Sequence, residues 1–262
     1  MYERAATAED DGGRPTLPIW HLEPGRALFV GPLGHHAPHM HSVPVLLTGL
    51  YEAIRLRVGG GDWVSCEAAV IPAGVSYEFD ADGQPLAVLY LEPSEAGAEA
   101  LMPFVSQVRD EGGALVGASG IRTLIRDLYE ATDGAPVTEA LDDLLGFAKP
   151  RARRTLDARI ARAVASLSTD AEDVRSAAAA AHDVGLSSSR FQHLFAAEVG
   201  VPFRRFRMWQ RLRAAIAEIV AGSSFTDAAH RAGFYDQAHF GRAFRQTFGA
   251  PASPSLRRVR RG

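Results

Sequence analysis

Apolar and polar positions alternate along the early part of the chain and recur every three to four residues along its last third. "AIRLRV" (53–58) and "VSYEFD" (75–80) alternate, and "LAVLYLE" (86–92) is an apolar run of the fully buried strand type. Turn signals at "VGGGD" (58–62), "PAG" (72–74) and "DADGQP" (80–85) separate them. Strands from Ala27 to Glu92 with no helices between them predict an antiparallel sandwich or small barrel. From Ser94 the period becomes helical. Leu101, Phe104, Val105 and Val108 share one predicted face, Ile121, Leu124, Ile125 and Leu128 a second, and a third helix is predicted over Val137 to Phe147. Their apolar stripes serve either to cover the strands or to pair two chains. "KPRARR" (149–154) reads as an exposed joint, and everything from Thr155 onward reads as helix. The expectation is an α+β chain of two domains, residues 1–150 and 151–262.

The helical third repeats itself. "AAHDVG" (180–185) returns as "AAHRAG" (228–233), an offset of 48. Phe191, Phe195, Gly200 and Pro202 return as Phe240, Phe244, Gly249 and Pro251, an offset of 49, so one residue is added in the segment just after the glycine. In each copy an alanine pair lets a second helix cross closely. Gly185 or Gly233 then supplies the left-handed residue that ends the first helix. Ser187 and Asp236 are N-cap candidates for the next helix, which buries Phe191, Leu194 and Phe195, or Phe240, Ala243 and Phe244. Helix, tight glycine turn, helix is the helix-turn-helix pattern.

At about 100° per residue, the face opposite the phenylalanines carries Ser189, Gln192 and His193 with Arg190 beside them. In the second copy it carries Ala238, Arg242 and Arg245, with Gln237 and His239 at the edges. Gln suits adenine, Arg suits guanine, and an Ala methyl meets the thymine methyl. Between the copies, Pro202 to Ala221 reads as one helix whose inner face holds Phe206, Trp209, Ile216 and Ile219, with Arg204, Arg205, Arg207, Arg211 and Arg213 around them. Such a helix spans roughly 30 Å, against about 34 Å for one turn of DNA, so it is long enough to set two reading helices in successive major grooves.

Charge sharpens this picture. Residues 1–150 carry 9 basic and 22 acidic side chains, whereas residues 151–262 carry 19 arginines and 9 acidic side chains. The reversal fits a polyanion partner for the second half, or a salt-bridged solvated surface. Cys66 is the single cysteine, which excludes internal disulfides and cysteine-cluster zinc sites. With no signal-peptide pattern and no long apolar run, a cytoplasmic setting is expected.

Over residues ~155–250 the chain resembles the AraC/XylS-type transcription regulators. The resemblance rests on "GFYDQAHFGRAFRQTFGAP" (233–251), "GLSSSRFQHLFAAEVGVP" (185–202) and "RLRAAIAEIVAG" (211–222). It departs at "GAPASPSLRR" (249–258), where the family commonly has Thr-Pro and later Tyr-Arg. The resemblance implies a double helix-turn-helix DNA-binding domain preceded by a domain that binds a small-molecule effector or dimerises. It carries base contacts onto Ser188, Ser189, Arg190, Gln192 and His193, and onto Gln237, Ala238, His239, Arg242 and Arg245. Double-stranded DNA, an unidentified effector, RNA polymerase and a second copy of the chain are the implied partners, in an activator or a repressor.

"GHHAPHMHSVPVLLTGLYEAIRLRVGGG" (34–61) and "VIPAGVSYEF" (70–79) resemble a cupin barrel. Cupin enzymes hold a metal with His-x-His, a following Glu and a later His. Here His39 and His41 form the pair, but Val45 and Leu46 stand where the Glu is expected and Tyr77 where the later His is expected. Three readings stay open: an effector pocket lined by His39, His41, Leu47 and Tyr77, a metal site, or ordinary core and surface histidines. The alternative to a regulator is a metal-dependent cupin enzyme with a helical appendage. No nucleophile elbow, phosphate loop or HExxH helix supports catalysis, and no cofactor is expected.

Overall fold

Alternating side chains along the central strands point to two different cores, and this shapes the front half. The computed structural model describes residues 17–131, 136–148, 156–169, 176–256 and 259–261. The predicted joint at 149–154 lies outside the described residues. Among the described residues the strands of the front half are β1 (Ile19–Glu23), β2 (Arg26–Pro32), β3 (His35–His39), β4 (Val45–Gly49), β5 (Ile54–Val58), β6 (Val64–Cys66), β7 (Ala68–Ile71), β8 (Tyr77–Asp80), β9 (Pro85–Leu91), β10 (Val105–Glu111) and β11 (Ala114–Ser119). One sheet runs β10-β11-β7-β4-β9-β2-β1, and a second runs β3-β8-β5-β6. The pairings among these strands are antiparallel. The sheets face one another without closing into a hydrogen-bonded ring, so "barrel" describes the shape only loosely.

Along β9, Leu86, Val88 and Tyr90 face the core between the sheets, while Ala87, Leu89 and Leu91 face outward. The outward face is buried under α1 (Arg122–Glu130) and α2 (Val137–Ala148) through Ile125, Leu128, Leu141 and Leu145. A strand covered on both faces needs an unbroken apolar run, which accounts for "LAVLYLE". Leu124 and Phe147 are left exposed on these helices, Phe147 by 54%.

The structure corrects the helix expected over Leu101 to Val108. Two short 3-10 turns (Ala98–Ala100 and Met102–Phe104) lead into β10, which forms a hairpin with β11. Gly112 and Gly113, both at positive φ, make that reversal, and Pro103 is unsuited to a helix interior.

The second half comprises α3 (Ala158–Thr169), α4 (Ala177–Asp183), α5 (Ser188–Val199), α6 (Phe203–Val220), α7 (Phe225–Arg231), α8 (Gln237–Phe248) and α9 (Ala252–Leu256). The all-helical expectation fails at the end of the described chain. There β12 (Arg260–Arg261) runs parallel to β1, pairing with Ile19 and Trp20 at the edge of the larger sheet. One hydrophobic core continues from between the sheets into these helices, joining Trp20, Val88 and Tyr90 to Phe195, Trp209 and Phe248.

Candidate functional site

Each reading helix starts at the residue expected to cap it. The Ser187 hydroxyl accepts from the Arg190 amide, and the Asp236 carboxylate accepts from the His239 amide. Gly185 (φ 70°) and Gly233 (φ 73°) adopt the left-handed turn that precedes each cap. Phe191 and Phe195 of α5, and Phe240, Ala243 and Phe244 of α8, are buried, with Leu194 partly so. The register locks the opposite faces outward. Ser189, Arg190, Gln192 and His193 are exposed on α5, with Ser188 half-buried, and Gln237, Ala238, Arg242 and Arg245 are exposed on α8.

Two glutamine side chains are already steered. Gln192 Nε2 donates to Ser188 Oγ at 3.3 Å, and Thr226 Oγ1 donates to Gln237 Oε1 at 3.2 Å. His239 stands apart from the other candidates. It is half-buried, with its ring 5.3 Å from Phe234 and its Nδ1 accepting from the Tyr235 amide, so it braces the turn. The residue added in the second copy is Tyr235, 84% exposed beside the start of α8.

On α6, Arg204 and Arg205 are exposed at the N-terminal end with no ion pair among the described residues. Arg211 and Arg213 do not share that role. Arg211 lies over the Phe234 ring at 5.9 Å, and partial burial lowers its pKa. Arg213 donates to Glu92 at 3.1 Å and to the Glu23 carbonyl. Glu92, fully buried at the end of the larger sheet, also accepts from Trp209 Nε1 and Gln210 Nε2, each at 3.0 Å.

The effector candidates come together in the front half. His39 pairs in register with Tyr77, and its ring lies 4.4 Å from Tyr77 and 5.0 Å from His41. All three are buried and line a cavity of about 20 Å³ with His36, Tyr90 and Phe248. Leu47 is buried in the same core but does not line the cavity. Burial holds His39 down at about 4, opposed by its bond to the Ala37 carbonyl, and holds His41 well below the usual imidazole value. No three His, Cys, Asp or Glu side chains among the described residues are grouped so as to hold a metal.

Residues 180–258 match a family model described as a helix-turn-helix domain. The match takes in both capped helices, α5 and α8. No curated protein matches the chain in sequence. Among solved structures, ToxT from Vibrio cholerae strain SCE256, bound to an unsaturated fatty acid, is 11% identical with a TM-score of 0.59, covering 89% of this chain and 95% of that one. ToxT from strain O395 bound to (E)-4-(8-methylnaphthalen-1-yl)but-3-enoic acid is 11% identical with a TM-score of 0.60, covering 88% and 98%. At these identities the likeness is one of fold, and it spans both halves.

The helical half is bolted to the front sheets at its second reading helix. His36 Nδ1 donates to the Phe248 carbonyl at 2.6 Å, and the Ala37 amide donates to the Gly249 carbonyl at 3.0 Å. Gly249 has φ +73°, and a side chain there would meet the Ala37 carbonyl and the His39 ring. Nearby, Ser42 Oγ donates to the Arg205 carbonyl and Trp20 Nε1 to the Ser255 carbonyl. The approach of the two halves was not visible in the sequence. Its one trace is the glycine-proline pair at 249 and 251, which also serves the repeat.

Proposed function

We propose that the chain is a transcription regulator of the cytoplasm whose residues 151–262 read double-stranded DNA and whose residues 1–150 bind a small-molecule effector and dimerise. The carrying observation is the pair of capped helices that bury phenylalanines on one side and expose Gln and Arg on the other. Gln192, Arg190 and His193 of α5, and Gln237, Arg242 and Arg245 of α8, are assigned to base edges, with Ala238 against a thymine methyl. The helix N-termini and Arg204 and Arg205 are assigned to phosphates. The front half faces an effector or RNA polymerase, and its exposed Leu124 and Phe147 are available to a second copy. ToxT, similar in fold, is bound to an unsaturated fatty acid, which supports a small-molecule effector for this chain.

The test uses a site selected from random duplexes and read by anisotropy. Arg242→Ala weakens the selected site by about 1–3 kcal/mol and relaxes preference at one base pair. Arg205→Ala weakens all duplexes alike and flattens the salt dependence by about one phosphate contact. Unchanged affinity in both variants would remove the assigned faces from the interface.

A further inference from the structure

We propose that the cavity between the front sheets and the end of α8 is a binding site for a small, neutral, hydroxylated aromatic molecule, and that Phe248 occupies that site in this conformation. The inference rests on the regulator reading only for what the ligand would control. Three buried polar atoms converge here without a hydrogen-bond partner among the described residues: His39 Nε2, His41 Nδ1 and the Tyr77 hydroxyl. Each orphaned group costs on the order of 1–3 kcal/mol, so three around one cavity mark a place where a partner is missing. The remaining space, about 20 Å³, exceeds the roughly 10–15 Å³ that a water molecule needs but is far below a drug-sized pocket.

What fills the rest is the Phe248 side chain at the end of α8. Its ring lies 5.3 Å from His41, 6.0 Å from Tyr90 and 6.3 Å from Trp209, edge-on to the first two. The walls therefore already accept a six-membered aromatic ring, yet that ring offers nothing to the two imidazoles and the phenol. A ring of the same outline carrying a hydroxyl would satisfy them.

The charge of the ligand follows from the lining. Among the described residues, no Asp, Glu, Lys or Arg lines the cavity. The burial that keeps both imidazoles uncharged near neutral pH leaves a carboxylate without a cation and a cation without an anion. To enter, the molecule must displace the Phe248 side chain, whose own backbone carbonyl accepts from His36 and whose neighbour Gly249 accepts from the Ala37 amide. Occupancy therefore bears directly on the hydrogen-bonded seam that holds the second reading helix to the front sheets.

Phenol is the probe, with benzoate and cyclohexanol as controls, titrated calorimetrically into the full chain. The expected result is that Phe248→Ala binds phenol about tenfold or more tighter than the native chain, because the competing ring is gone. Adding Tyr77→Phe to that variant reverses about tenfold of the gain, and benzoate and cyclohexanol bind about tenfold more weakly than phenol. Phenol affinity unmoved by Phe248→Ala, or benzoate binding as tightly as phenol, overturns the proposal. Should Phe248→Ala not fold, Phe248→Leu gives the same comparison with a smaller gain. Anisotropy on the selected duplex separates the two readings. Phenol binding without DNA binding sinks the regulator alone, whereas DNA binding without phenol binding sinks the ligand assignment alone.

Discussion

Glu92→Ala destabilises the folded chain by about 3–5 kcal/mol, the range for removing one partner from a buried ion pair. The carboxylate is fully buried and receives Trp209, Gln210 and Arg213, all from α6. Without it, the Trp209 indole N–H loses its acceptor in the core and the Arg213 guanidinium loses its counter-charge. Glu92→Gln keeps the shape and loses less, because an amide oxygen can still accept from Trp209. The measurement is urea unfolding followed by fluorescence. A cost below about 1 kcal/mol would mean that the clasp tolerates solvent or rearrangement. Because Glu92 ends the strand that lines the aromatic cavity and α6 connects the two reading units, this change also loosens the front sheets from the DNA-reading half.

Mild acid should produce the second large effect. In the unfolded chain His39 takes up a proton near 6.5, whereas in the folded chain burial delays uptake to about 4. The unfolded state therefore binds more protons between these values, and stability that is complete above 6.5 is lost as the pH falls toward 4. For His39 alone the loss reaches about 3 kcal/mol, at roughly 1.4 kcal/mol per pH unit. His36 and His41, lowered by the same burial, add to it in the same direction. The lowered carboxylates of Glu23, Glu78 and Asp80 contribute only below their ordinary values, at more acid pH. Unfolding midpoints at pH 7, 6 and 5 separate the two, and a midpoint constant across that interval would show that the histidines ionise without opening the structure.

The DNA-reading half was legible because each helix-turn-helix repeats its instructions locally. A cap, a left-handed glycine and a phenylalanine pair lie within a few residues of one another, and all of them fold as read. The shift from an offset of 48 to 49 located the segment that takes the added residue, and the structure identifies that residue as the exposed Tyr235. The front half was legible in its strands for the same local reason. It was misread at Leu101 to Val108, where apolar residues at helical spacing lie on 3-10 turns and a strand edge. Pairing with β11, a tertiary fact, decided that segment.

The histidine pair and Tyr77 were picked out as a group, and the fold does bring them together. What no local pattern showed is the neighbour from the other half. Phe248 reads as one more apolar position of α8, and Glu92 as the polar end of a strand, until the two halves are docked.

The core that runs unbroken from Trp20 to Phe248 has a bearing on any attempt to dissect this molecule. Cutting the helices away would bare Trp209, Phe248 and Leu256 as a greasy scar and strand the Arg213 guanidinium beside it. The severed piece would be sticky until those positions were redesigned as surface. Melting, for the same reason, should proceed as one concerted collapse of sheets and helices.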